Sequence, residues 1–222
     1  MKRIAVLASG GGSNLAALLA YLAPLPAPEP CAVRLVLSDR PGAKALERAA
    51  EAGITGATIA DPADGAGLAA TLEQHAIDMV VLAGYLKLVP LQVTVRYAGA
   101  IVNVHPALLP NHGGTGMYGA RVHRAVLDAG DAESGATVHF VDAGYDRGAP
   151  IIRARVPVAP DDTPESLAAR VLVAEHFALP RVVHALAVGV IALGSSGALL
   201  VGADAARLFA DPPPGVVVRL AG

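Results

Sequence analysis

Cysteine is almost missing from this sequence: Cys31 is the only one in 222 residues. A single thiol excludes an internal disulfide framework and any metal site built from several cysteines. Cys31 stands directly before the apolar run Ala32–Leu37. We therefore interpret it as a small buried hydrophobic residue, not as a nucleophile.

Excess positive charge is also missing. Lysine and arginine number 17 against 19 acidic residues, which gives a net charge of −2. This balance argues against broad electrostatic capture of nucleic acid, which needs a basic face. Hydrophobic residues make up 54% of the chain and charged residues 16%, so a large core is expected. We predict one domain over residues 1–222 and no nucleic-acid partner.

No hydrophobic run is long enough for an export signal or a membrane span. The apolar stretch Ile4–Ala8 is interrupted by Ser9–Asn14, and the uncharged stretch Ala185–Ala203 is broken at Gly194–Gly197. Neither has the length of a signal-peptide core or a membrane helix. A cytoplasmic protein without a membrane partner is expected.

Several catalytic signatures are absent too. No Gly-Lys-Ser/Thr follows the glycines near the N-terminus, and the sequence has no G-x-S-x-G elbow. The spacings of His105, His123, His139 and His176 match no common ligand pattern, so no metal is predicted and most of these histidines are interpreted as structural.

Short apolar runs alternate with helix-like segments in the first half of the chain. This order predicts a doubly wound, mostly parallel α/β sheet with ligands at the carboxyl ends of the strands. In the second half, Ala136–Val141 and Ile151–Val158 alternate apolar and polar residues and predict half-exposed strands of an antiparallel extension. Thr163 and Pro164 predict the start of a helix that ends near Ala178.

The first candidate site is the glycine-rich turn Ser9–Asn14, which joins the first strand to the first helix. Glycines allow close approach of a ligand, and a helix N-terminus offers unpaired N–H groups and a positive dipole end. Leu15 stands where a dinucleotide fingerprint would need its third glycine. We predict a monophosphate site here; a plain glycine turn with a helix cap is the alternative.

The second candidate site combines Asn103 and His105 at the end of a predicted strand. Strand alternation puts both side chains on one face. An amide can hold a carbonyl oxygen that becomes an oxyanion, and an imidazole can move a proton near neutral pH. Asp146 lies in a later glycine-containing loop. If that loop folds over His105, its carboxylate should favour the imidazolium and raise the pKa of His105.

These sites together resemble the formyltransferase family that uses 10-formyltetrahydrofolate, from Met1 to about Val183. The resemblance rests on the order and spacing of five pieces: Ser9–Asn14, Asp78–Tyr85, Asn103–Pro110, Thr137–Val141, and Asp146 with Gly148 and Pro150. It implies a Rossmann-like formyltransferase fold, with a phosphate-binding half over about residues 1–100 and a catalytic, folate-binding half over about residues 101–222.

The resemblance further implies direct attack of a substrate amine on the formyl carbon, with no metal and no ATP. Asn103 would bind the formyl oxygen, His105 would donate a proton and stabilise the oxyanion, and Asp146 would set the charge of His105. The substrate, glycinamide ribonucleotide of purine biosynthesis, would be held by Gly11, Gly12, Ser13, Asn14 and Glu175. The folate would be bound by Leu86, Lys87, Leu88, Val89 and Asn103.

Three features depart from the family pattern. The segment Gly113–Gly119 looks inserted, no basic residue stands near Asp61, and Lys87 replaces a common arginine. Two relatives remain as alternatives: a formyltetrahydrofolate deformylase and a methionyl-tRNA formyltransferase-like catalytic domain. A non-catalytic folate- or ribotide-binding module is the alternative from a different class. The expected partners are small molecules, and the chain is expected to be a monomer or a homodimer.

Overall fold

Apolar runs of the first half form the strands of a parallel sheet. The computed structural model describes residues 1–221, so Gly222, the last residue of the predicted domain, lies outside the described residues. The chain divides into a first unit, Met1–Asn103 with Val141–Gly144, and a second unit, Val104–Phe140 with the chain from Tyr145 onward.

The first unit alternates strands and helices along the chain. Its elements are β1 (Lys2–Leu7), α1 (Ser13–Leu22), β2 (Cys31–Ser38), α2 (Lys44–Glu51), β3 (Thr55–Thr58), α3 (Gly65–Gln74), β4 (Met79–Leu82), α4 (Leu91–Arg96) and β5 (Ile101–His105), whose last two residues belong to the second unit. The strands are all parallel and follow the order β5-β4-β1-β2-β3.

Both faces of this parallel sheet are covered. Four consecutive residues of β1, Ile4 to Leu7, are each 0% exposed, which a strand shows only when helices pack on both of its sides. One face of the sheet contributes Leu7, Leu37 and Leu82 to a cluster that also contains residues of α3 and α4. Helices α1 and α2 both contact β2. The predicted doubly wound arrangement is confirmed.

The strands that follow β5 in the second unit pair with one another in an antiparallel direction. The further elements of this unit are α5 (Ala120–Ala129), β6 (Glu133–Phe140), β7 (Pro150–Pro157), α6 (Pro164–Ala187), β8 (Ile191–Leu193), β9 (Leu199–Val201), α7 (Ala205–Leu208) and β10 (Val217–Leu220). The strand order is β10-β7-β6-β5, with antiparallel pairing of β6 to β7 and of β7 to β10. The predicted antiparallel extension is confirmed; β8 and β9 form a separate pair.

Two expectations about the second unit were wrong. Strand β6 is not half-exposed: every residue from Ser134 to Phe140 is buried, because α6 packs on β6 and β7. Helix α6 does not end near Ala178 but continues to Ala187 through Pro180. Pro180 has no N–H to donate to the His176 carbonyl, and the Arg181 guanidinium donates to the neighbouring Phe177 carbonyl oxygen at 3.1 Å. The expected Thr163 cap is confirmed as a capping box with Ser166.

Helices α4 and α7 and strands β8 to β10 were not predicted. They are short, and their sequences carry little periodicity. Within the described residues no helix is long and apolar enough to cross a membrane.

Thr137 of β6 fixes the chain that follows β5. Its side chain is 0% exposed, donates to the Ala107 carbonyl oxygen at 2.6 Å and accepts from the Leu109 N–H at 3.0 Å. The hydroxyl therefore ties down the segment directly after His105.

Replacing Thr137 by Val should lower the free energy of unfolding by about 2–3 kcal/mol, because two buried backbone groups lose their partner while the side-chain shape is kept. Urea denaturation measures this loss. Thr71→Val is the matched control: its hydroxyl donates to the Gly67 carbonyl within a helix, so that variant should lose much less stability. Equal losses in the two variants would contradict the role of Thr137.

Candidate active site

His105 is the last residue of β5, at the carboxyl end of the strand, and its side chain is buried. Its Nε2 lies 2.8 Å from the carbonyl oxygen of His112, and its Nδ1 lies 3.4 Å from Oδ2 of Asp146. A carbonyl oxygen only accepts, so Nε2 carries a hydrogen. Nε2 is therefore occupied by the His112 carbonyl, and proton exchange is left to Nδ1, which faces Asp146.

The loop between β6 and β7 does place Asp146 over His105, as the sequence analysis required. Asp146 adopts a left-handed backbone conformation with φ of 55°. Its Oδ2 also accepts from the Gly114 N–H at 2.9 Å, and its Oδ1 lies 3.5 Å from Nε2 of His139. Burial alone would raise the pKa of Asp146, but the contacts with His139, His105 and Gly114 lower it below its usual value. Asp146 is a carboxylate at neutral pH.

The pKa of His105 differs in direction from our expectation. Burial lowers it below the usual value, and this effect outweighs the opposite influence of Asp146 and of the His112 carbonyl. The predicted contact with Asp146 exists, but the net shift is downward because the ring is only 4% exposed. The resting imidazole is neutral and gains a proton beside a carboxylate.

His139 also lies beside Asp146, and the sequence analysis gave it no role of its own. Its Nδ1 lies 2.7 Å from the carbonyl oxygen of Phe140, so this nitrogen is the donor, and Nε2 faces Asp146. Strand alternation could have indicated this position from the sequence, because it puts His139 on the same face of β6 as Thr137.

A cavity of about 440 Å³ lies beside Asp146 within the second unit. Its walls include the predicted insertion as well as the loop that carries Asp146: Leu109, Pro110, Gly113, Gly114, Tyr145, Asp146, Arg147, Gly148, Pro150 and Arg153. The segment Gly113–Gly119 therefore forms part of the cavity wall, and it also provides the Gly114 N–H that donates to Asp146. Among residues 1–221, no group of three or more His, Cys, Asp or Glu side chains is arranged to hold a metal ion.

In the first unit, the glycine-rich turn is held firmly by α2. The Gly10 carbonyl oxygen accepts from the Ala45 N–H at 3.1 Å, and the Gly11 carbonyl oxygen accepts from Arg48 Nε at 2.9 Å. Gly12 has a φ of 67°, and a Cβ there would lie 2.9 Å from the Ala45 Cα. Only glycine fits at this position. The turn delivers the chain into α1 at Ser13.

The predicted folate-binding segment adjoins that turn. The Ser9 hydroxyl accepts from the Leu86 N–H at 2.9 Å, and the Ser9 N–H donates to the Gly84 carbonyl oxygen at 3.0 Å. Lys87 and Leu88 are exposed, whereas Val89 is 2% exposed and belongs to the core of the first unit.

The three remaining predicted residues are Asn14, Asn103 and Glu175. Asn14 lies in the first turn of α1 and is 7% exposed. Asn103 lies two residues before His105 on β5 and is partly buried. Glu175 lies in the middle of α6 and is 9% exposed.

Replacing Asp146 by Asn should lower the pKa of His105 further, because the carboxylate that favours the charged ring is removed. NMR titration of the His105 ring measures the shift. Asp142→Asn, in an exposed part of the same loop, is the control and should leave that pKa unchanged. An unchanged His105 pKa in the Asp146 variant would contradict the coupling between the two groups.

Comparison with known proteins identifies the family. The model of the formyl transferase family matches residues 2–183. A trifunctional purine biosynthetic protein of Drosophila melanogaster is 41% identical to this chain over 194 residues. These residues are 85% of this chain but only 14% of the length of that relative. Phosphoribosylglycinamide formyltransferase of Escherichia coli is 37% identical and is covered over 97% of its length, against 96% of this chain.

A solved structure agrees. The crystal structure of phosphoribosylglycinamide formyltransferase from Anaplasma phagocytophilum is 33% identical and superposes with a TM-score of 0.81, covering 90% of this chain and 92% of that one. The extent of the family match and this superposition lead to one conclusion: the chain belongs to the formyl transferase family.

Proposed function

We propose that this protein transfers the formyl group of 10-formyltetrahydrofolate to the amine of glycinamide ribonucleotide. The observation that carries the proposal is the buried imidazole of His105 beside the carboxylate of Asp146, at the end of a strand that also carries Asn103. The length-matched relative from E. coli bears the name of this activity. As in the sequence analysis, the whole chain is taken as one formyltransferase domain, and it acts in the cytoplasm as a monomer or a homodimer.

Formyl transfer needs a stabilised oxyanion and a proton path. The substrate amine attacks the formyl carbon, a C–N bond forms, and the carbonyl oxygen becomes negative. The Asn103 amide donates to this oxygen, and the imidazolium form of His105 stabilises it. Asp146 offsets the positive charge on the buried ring.

The proton balance runs through the same pair. The attacking amine loses a proton as the new bond forms, and the folate nitrogen must gain one as the old C–N bond breaks. Nδ1 of His105 lies 3.4 Å from Asp146, longer than a committed charge-assisted hydrogen bond. That nitrogen can therefore take up and return a proton, directly or through one water next to Asp146.

The glycine-rich turn supports the ribotide as substrate. The N-terminus of α1 provides N–H groups and a positive dipole end, and Ser13 and Asn14 add side-chain donors. The Arg48 guanidinium, bound to the Gly11 carbonyl, brings positive charge to this turn. A monophosphate fits such a site. Glu175 is assigned to the glycinamide amine, and the segment Leu86–Val89 to the folate, with Val89 acting through the core of the first unit.

Transfer is tested by mixing the protein with 10-formyltetrahydrofolate and three acceptors: glycinamide ribonucleotide, water and charged methionyl-tRNA. Formyl-glycinamide ribonucleotide should be the main product. Predominant hydrolysis would instead identify a deformylase, formylated tRNA would identify the tRNA enzyme, and binding without turnover would identify a non-catalytic module.

In this assay, His105→Ala and Asp146→Asn should each lower kcat by about 10²–10⁴-fold, with much smaller changes in KM, because proton transfer is lost in the transition state. Asp142→Asn should keep the wild-type rate. Full turnover by either site variant would overturn the assigned roles.

Replacing Ser13 and Asn14 together by Ala should weaken ribotide binding by about 10–100-fold, because hydrogen bonds to a charged phosphate are lost. Calorimetry with the ribotide and, separately, with a folate analogue measures both affinities on the same variant. Folate binding serves as the internal control and should change little. Equal losses would argue against a phosphate site at this turn.

A further inference from the structure

A second histidine–carboxylate pair lies behind His105. In the segment that follows β5, Nε2 of His112 lies 2.6 Å from Oδ2 of Asp131, and the backbone carbonyl of His112 contacts Nε2 of His105 at 2.8 Å. The atom of His112 that lies within hydrogen-bond distance of the His105 ring is its backbone carbonyl oxygen. His112 therefore connects Asp131 with His105 through one residue's backbone.

The backbone at His112 is unusual. Its φ is 54°, in the left-handed region, which side chains larger than glycine seldom adopt. Such a conformation persists when the surrounding contacts determine it. The short contact with Asp131 holds the side chain, and the contact with His105 uses the carbonyl that this backbone conformation orients.

Asp131 is itself fixed by the end of a helix. Gly130 ends α5 with a φ of 68°, and the Asp131 N–H donates to the Val126 carbonyl oxygen at 3.3 Å. This arrangement places the carboxylate at a defined point beyond the last turn. The pair then lines a cavity of about 270 Å³, together with Leu108 and Ser134.

We propose that the His112–Asp131 pair positions His105, by holding the His112 carbonyl against Nε2 and thereby fixing the tautomer and orientation of the catalytic ring. With Nε2 committed to the carbonyl, Nδ1 is the nitrogen that exchanges protons beside Asp146. Asp131 and the side chain of His112 are positioning residues, because neither touches the substrate in this scheme. The kinetic part of the proposal rests on the proposed formyl transfer; the tautomer part does not.

The test uses Asp131→Ala and His112→Asn in the full chain. Asparagine tolerates the left-handed backbone at residue 112 but lacks the imidazole. Glu133→Ala is the matched control, because Glu133 lines the same cavity but pairs with Arg155 instead. Circular dichroism checks that each variant folds; if Asp131→Ala does not fold, His112→Asn provides the same comparison.

Two measurements are made on each folded variant. In ¹⁵N spectra of labelled histidine, wild-type His105 should carry its hydrogen on Nε2, and the two site variants should show a mixture of tautomers. Their kcat should fall by about tenfold with both KM values nearly unchanged, because only the orientation of the ring is affected. In Asp131→Ala, losing an acceptor of the Nε2 hydrogen should also lower the pKa of His105, which burial, His139 and the His112 ring lower and which Asp146 and the His112 carbonyl raise. His105 in turn lowers the pKa of His123 on α5.

The outcomes are distinguishable. A wild-type tautomer in both site variants overturns the proposal whatever the rate does, and so does a rise in KM with unchanged kcat. Site variants that behave like Glu133→Ala overturn it as well. If the wild-type protein transfers no formyl group, the proposed function fails, yet the tautomer measurement still tests the positioning of His105.

Discussion

Burial of one imidazole between two acceptors is the constraint on which the rest of this site depends. His105 loses water at the end of β5, and burial lowers its pKa, so the ring stays neutral unless a nearby charge favours its protonation. Asp146 opposes this shift without outweighing it, and its own pKa is held below the usual value by His139, His105 and the Gly114 N–H. Nδ1 of His105 can therefore take up a proton beside Asp146 without holding one in the resting state.

Much of this arrangement followed from the sequence. Ligand-binding residues of a parallel α/β sheet lie at the carboxyl ends of its strands. The alternation of apolar runs and glycines therefore indicated Asn103, His105 and the turn before Ser13. Asp146 was noticed as an acid in a glycine-containing loop between two strands, and its role came from the resemblance to the family. The signals for Asn103, His105 and the turn are local, since they depend on neighbours within a few residues along the chain.

The features that the sequence did not predict depend on packing between distant segments. The sign of the His105 pKa shift required the depth of its burial, which no spacing expresses. The sequence of β6 alternates like that of a half-exposed strand, but α6 covers the strand. Helix α6 continues through Pro180 because the residues around the proline are buried. His139 looked like any other histidine until its Nε2 was found against Asp146.

The contact between Asp131 and His112 constrains the length of helix α5. Because Gly130 and Asp131 follow its last turn, adding or removing one residue within α5 would rotate that end by about 100° and carry the carboxylate away from His112. Substitutions on the exposed face of α5 leave this geometry intact. The exposed face of the helix is thus free to vary in composition, but the length of the helix is not, because its number of residues sets the position of the Asp131 carboxylate.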